Sequence, residues 1–366
     1  MDQGPLPGRT KEVRPTRRLR IVGIALALAA IVPGWSGVPG AAASQGGACQ
    51  PWHQVQINAG DQLTELEGVD GVSGDDLWAV TNTSPQPTIT HWNGARWQSG
   101  PVESARGVLD AVDVLTTSDA WAVGSVIMHW DGQIWHNVHQ LAPPNFLFGV
   151  SGSGPSDVWA VGIAGAERGL IDHWDGVSWS KVPFETMKDG IAFQDVVAIA
   201  PDDAWAVGYS LREPTRYLPF IQHWDGADWL LVPIPGQNQN IALVGIDASG
   251  PDDVWAIGGS NHPVIYHWDG VTWAMMSQAH FAGTVRLQGI SVVGPDDVWV
   301  AGLIGAGGPP VTAHWNGSQW TMISVANKHN AWINAIKAFG PDDVWAVGHD
   351  AGEGAITARF VSCPDA

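Results

Sequence analysis

The chain has 366 residues, 45% of them hydrophobic, with 22 tryptophans, two cysteines, and 17 lysines and arginines against 36 aspartates and glutamates, a formal charge of −19. That length is ample for a large buried core. The acidic balance argues against nucleic acid or an anionic membrane as partner, since both need a positive footprint.

The first forty residues stand apart. Arg9, Lys11, Arg14, Arg17, Arg18 and Arg20 form a basic run, Ile21 to Val32 is apolar without a charge, and Ala41, Ala42 and Ala43 offer small residues for cleavage. This is the layout of a secretory signal peptide, so residues 1–43 are expected to be a leader and 44–366 an exported domain. The apolar run is too short to span a bilayer, which takes about 20 residues. Arg17 and Arg18 leave the general and twin-arginine routes both open, and Cys49 also admits a lipoprotein reading, against which stands its distance from the apolar run. Removing the leader takes six of the 17 basic residues and two of the 36 acids, leaving 11 against 34 and a charge of −23.

Cys49 to Val55, with Trp52 at its centre, reads as one strand without a unit of its own. A repeat then fills the chain. An acidic residue two positions before a tryptophan, followed by an apolar pair, recurs at Trp78, Trp121, Trp159, Trp205, Trp255, Trp299 and Trp345. The spacings of 43, 38, 46, 50, 44 and 46 residues are those of propeller blades. In each unit a short apolar run such as Leu243 to Asp247 precedes turn residues such as Gly250-Pro251-Asp252-Asp253, then the tryptophan strand. A His-Trp strand follows in six units (His91, His129, His173, His223, His267, His314), then Asp-Gly or Asn-Gly, a strong hairpin turn, and a strand opening on a third tryptophan. Four antiparallel strands per unit make a blade, and the fold expected is an all-β, seven-bladed propeller.

The seventh unit ends with Ile356 to Phe360 and lacks a fourth strand. The orphan strand around Trp52 supplies it, closing the ring. Cys49 lies three residues before Trp52 and Cys363 three after Phe360, on opposite sides of the hairpin at which the ring is cut, so a disulfide between them is expected in an oxidising compartment.

The units D-D-V-W-A-V-G and H-W-D-G-x-x-W resemble the tryptophan-rich β-propeller repeats of secreted bacterial proteins over residues 49–363, and more distantly tectonin and kelch repeats. Tectonin repeats are shorter, and the paired glycines of kelch are missing. The resemblance implies a propeller but no one activity, since those groups hold lectin-like binders, interaction scaffolds and some enzymes.

Six histidines on six different blades cannot converge on one ion, whose ligands must lie within about 2 Å of it, so they are expected to be bonded within or between blades. The paired aspartates are assigned to the turn between the first two strands, as caps or as oxygen ligands for calcium. Loops of variable length gather on the opposite face, where function usually resides; Arg212, Arg216, Tyr217 and His262 are candidate binding residues there. First strands should line the central channel. Ten residues before the key tryptophan stand Gly68, Ala111, Gly149, Gly245, Gly289 and Ala335, but Asp195 in the fourth unit, and two residues further Lys337 adjoins Asp70 across the closure. Trp332, outside the pattern, either stacks on a sugar ring or covers the seam. The function expected is a monomeric, non-catalytic binding propeller for a carbohydrate or protein ligand, with no cofactor, metal or membrane span. The alternative is a glycosidase-like or lyase-like enzyme using channel carboxylates such as Asp195, Asp113 and Asp247.

Overall fold

The computed structural model describes residues 51–362 apart from 58–62, 83–85, 166–167, 188–189, 214–215, 260–261, 277–280, 282–283, 306–307, 326–330 and 353. The leader, Cys49 and Cys363 lie outside that set. Seven four-stranded antiparallel sheets follow one another along the chain. Blade one runs from an inner strand, Gly68–Ser73, through Asp76–Thr81 and Thr88–Trp92 to an outer strand, Trp97–Ser99. Among the described residues there is no helix long and apolar enough to cross a membrane.

Blade seven combines Ala331–Gly340, Asp343–Asp350 and Gly354–Phe360 with Trp52–Gln54 as its outer strand. Trp52 sits opposite Phe360, His53 opposite Arg359 and Gln54 opposite Ala358. The ladder continues one step further, where the Val361 N–H donates to the Pro51 carbonyl at 2.9 Å. The ring therefore closes where the incomplete seventh unit requires.

Tryptophans carry the blade-to-blade packing. Trp121, 1% exposed, lies over its own blade's His129 with ring centroids 4.3 Å apart and meets Trp174 and Trp179 of the next blade at 5.0 and 5.2 Å. Such aromatic contacts add about 0.5–1.5 kcal/mol each beyond area burial. At the closure Trp299 meets Phe360 at 4.9 Å and Trp52 at 6.4 Å, so these two residues occupy the places of the paired tryptophans elsewhere.

The aspartate pairs are not both in the turn. Asp252 is, but Asp253 opens the second strand. Strand alternation puts Asp253 on the same side as Trp255, and Trp255 is laddered to His267, so the carboxylate meets the imidazole, Nε2 to Oδ1 at 2.8 Å. All six His-Trp histidines make this bond, at 2.6–2.9 Å. Asp252 instead fits against the hairpin glycine: Gly270 has φ +86°, and a Cβ there would fall 2.5 Å from its Oδ1. Blade seven has Arg359 in the histidine's place. It binds Asp343 through Nε at 2.8 Å and Nη2 at 3.0 Å, and reaches Asp75 of blade one through Nη1 at 2.9 Å.

Candidate functional site at the channel mouth

The inner strands surround a cavity of about 330 Å³, and all seven blades contribute to its walls. Its deeper layer is a belt of side chains that tie each blade to the next. The residue eight before each key tryptophan accepts a backbone N–H from the following blade: Asp70 from Val114 at 2.6 Å, Asp113 from Gly152 at 3.1 Å, Ser151 from Ala198 at 3.1 Å, Asp247 from Val292 at 2.7 Å and Ser291 from Ala338 at 3.0 Å. Buried N–H groups at such seams need acceptors, and short side chains with oxygen reach them.

Blade four breaks the series with Val197. Asp195, two residues earlier, crosses the seam instead, its Oδ2 taking the Ile246 N–H at 3.0 Å while Oδ1 takes that of Val196 at 2.9 Å. In blade seven the position holds Lys337, which has no acceptor to offer; it forms an ion pair with Asp70 Oδ1 at 2.6 Å. The small residues at the neighbouring position serve close approach between blades. A Cβ on Gly149 would lie 2.8 Å from the Asp195 Cα, and one on Gly289 3.1 Å from the Ala335 Cα.

Above the belt, towards the variable loops, lies a second ring that the sequence did not announce. In six inner strands the register shifts by one residue, as between Leu147 and Gly149 or Ile333 and Ala335. A bulge leaves one residue unpaired and re-aims its side chain. The bulged residues are Asp110, Phe148, Gln194, Val244, Gln288 and Asn334; together with Glu67, just before the inner strand of blade one, they line the mouth.

This mouth is electrostatically strained on one side. Burial, with Glu65 and Asp110 nearby, pushes the Glu67 carboxyl up to about 8. Burial pushes Asp110 up to about 7 in spite of a hydrogen bond from Asn82. Asn334 bridges Glu65, the Leu66 carbonyl and Glu67 through its Nδ2 at 3.4, 3.0 and 3.1 Å. Glu65 is held below the ordinary range by its contact with His349, at 2.9 Å, and His349 in turn stacks on Trp332 with centroids 4.6 Å apart. In the belt, burial raises Asp113, Asp195 and Asp247, Asp195 to about 7.

Of the residues singled out from sequence, Asp195 and Lys337 line the cavity. Trp332, Arg216, Tyr217 and His262 lie outside its walls. Trp332 is half-buried with one face on His349. Arg216 holds the Asn238 carbonyl at 2.8 Å, Tyr217 packs on Tyr209 at 4.9 Å, and His262 is exposed in a turn. The side chain of Arg212 is outside the described set. The carboxylates of the enzymatic alternative, Asp195, Asp113 and Asp247, all act as acceptors for backbone N–H groups. Among the described residues no three histidine, cysteine, aspartate or glutamate side chains gather to hold a metal ion.

Fold and cavity together define a tryptophan-rich seven-bladed β-propeller with an open polar mouth. No protein-family model and no curated protein matches the chain. Solved structures share the fold: the one titled YCF48 bound to D1 peptide (18% identity, 86% of this chain and 98% of that one, TM-score 0.59), YCF48 from Cyanidioschyzon merolae (17%, 85% and 98%, 0.61), and the WD40 beta propeller domain of Doa1 (11%, 84% and 96%, 0.60). The tectonin and kelch resemblance rests on sequence motifs alone.

Proposed function

We propose that this chain is an exported, non-catalytic interaction propeller that receives a segment of a protein partner at the channel mouth. The observation that carries the reading is the division of labour between the two rings. The belt gives most of its polar groups to the scaffold, while the bulged ring above it projects carboxyl, amide and aromatic side chains into an open cavity, the arrangement of a recognition site. The similar fold solved with a peptide is consistent with this occupant. A polypeptide is preferred to a carbohydrate because Trp332, the aromatic best suited to a sugar, gives one face to His349 and stands outside the cavity.

Export and a Cys49–Cys363 disulfide belong to the same reading. The bond between Val361 and Pro51 brings the chain to within two residues of each cysteine, which supports the pairing. To test the binding site, a photo-crosslinking residue is placed at Gln288, exposed on the mouth ring, or at Val177, 83% exposed in a hairpin turn of the opposite face, and a library of extended peptides is offered. Capture through position 288 alone is expected; capture through 177 alone would move the site to the other face.

A further inference from the structure

We infer that the mouth takes a cationic group, the ammonium or guanidinium of a lysine or arginine side chain carried by the partner segment. The inference rests on the interaction reading and names the chemistry of its ligand. Six carboxyl groups line the cavity, those of Glu67, Asp70, Asp110, Asp113, Asp195 and Asp247, and Lys337 is the one basic residue among the lining. Lys337 is held by Asp70 at 2.6 Å. Asp195 and Asp247 each give both oxygens to backbone N–H groups.

Apart from Asp70 Oδ1, which is ion-paired with Lys337, three oxygens of the lining carboxyls have no hydrogen-bond donor among the described residues. Glu67 is bonded through Oε2 only, Asp110 through Oδ1 only and Asp113 through Oδ2 only. All three belong to the adjoining blades one and two, and all three line the same cavity. Next in the ring stands Phe148, packed on Phe146 at 5.0 Å, with Val112 and Val150 also in the walls. Unmatched carboxyl oxygens beside an apolar wall fit a ligand with a charged head on an aliphatic stem, which is how lysine and arginine divide their surface. Phe148 adds a ring face for the cation.

The strain at the site comes first from burial and then from the crowding of like charge. Glu67 faces Glu65, Asp110 and Asn334; Asp110 faces Glu65 and Asn82; Asp113 faces Asp70, Asp247 and Lys337. Glu67 and Asp110 are raised to about 8 and about 7, so near neutral pH they hold protons that an entering cation would displace. Binding should therefore release protons and tighten with rising pH, at least about tenfold between pH 6 and 8 by linkage if Asp110 alone is discharged and more if Glu67 is too.

The test uses calorimetry on the oxidised full domain in two buffers of different ionisation heat. Four ligands are compared: end-blocked pentapeptides alike except for a central lysine, glutamine or glutamate, and a free aliphatic triamine. The lysine peptide is expected to bind at least tenfold tighter than the glutamine peptide, with proton release, and the glutamate peptide not at all. Combining Glu67→Gln with Asp110→Asn should weaken the lysine peptide at least tenfold and abolish proton release, while Asp228→Asn, an exposed acid of the opposite face, changes neither; thermal melts check that each variant is folded. Equal binding of the lysine and glutamine peptides, or lysine binding without proton release, would overturn the cationic ligand and leave a peptide-binding propeller standing. Binding of the triamine but of no peptide would retain the cation pocket and remove the polypeptide partner. Absence of heat from all four overturns both.

Discussion

Asp195 accepts the Ile246 N–H across the seam between blades four and five at 3.0 Å, doing from two residues upstream what Val197 cannot. The orphan this leaves, the Ala248 N–H, is taken within its own strand by Asp247 Oδ1 at 2.8 Å. Burial raises Asp195 to about 7, and the sign of the pH effect follows. The stability it contributes is complete below its unfolded value, near 3.8, and is lost as pH rises to about 7. Asp195→Ala should therefore cost about 1–3 kcal/mol at pH 5, through unpaired N–H groups, and less at pH 8. Asp195→Asn should flatten the pH dependence in that window. Denaturant titrations at pH 5 and pH 8 decide it; a deficit that grows with pH contradicts the assignment.

Asp253, paired with His267, acts in the opposite direction. Burial pushes Asp253 up, but hydrogen bonds from His267, Ser249 and Trp255 outweigh it and hold the carboxyl below its usual value. Its stability is present above the unfolded value and lost as pH falls through the folded one. Asp253→Asn should destabilise at pH 6, by about 1–2 kcal/mol for a charge-assisted bond in a half-buried setting, and the difference from the parent should shrink below about pH 4. Urea melts across that range check it.

Arg359 replaces the histidine in blade seven and adds a bond to Asp75 of blade one. The guanidinium is a quarter exposed, so its pairs are partly screened. Arg359→Met is expected to cost about 1 kcal/mol, less in molar salt. Arg359→His rebuilds the bond used by the other six blades and should recover most of the loss. Equal melting temperatures for the two variants would refute the equivalence of the two residues.

Trp52 fills the place of a blade's third tryptophan although it is 247 residues from Trp299 and 308 from Phe360. Trp52→Ala should cost about 3–5 kcal/mol, measured by guanidinium denaturation of the oxidised chain. Intact mass under non-reducing conditions is expected to show both cysteines oxidised. Reduction should then lower stability by up to about 5 kcal/mol on the chain-entropy model, and free thiols in protein purified without reductant would remove the disulfide.

The blade count, the closure and the enclosed histidines could be read from sequence because each rests on a pattern repeated six or seven times. Trp52 and Phe360 were legible as substitutes by the position each holds in an incomplete unit. The mouth ring was not. Inner strands are buried on both faces, so they read as continuous apolar runs, and nothing in Leu147-Phe148-Gly149 marks Phe148 as the bulged residue. Asp195 was visible as an exception, but its meaning depended on Val197, a residue unremarkable until the belt of acceptors is known. In sequence the second aspartate of each pair reads as a turn residue, because Asp-Asp after Pro looks like turn chemistry; only the ladder register, which sets Asp253 beside Trp255 and His267, assigns it to the strand.

The bulges carry one more consequence. A side chain opposite no partner on the neighbouring strand can be exchanged without rewriting the ladder that supports it. The mouth is thus a socket whose bulged pins, from Asp110 round to Asn334, are individually replaceable, and a lineage of such chains could drift from one guest to another while every supporting tryptophan stays in place.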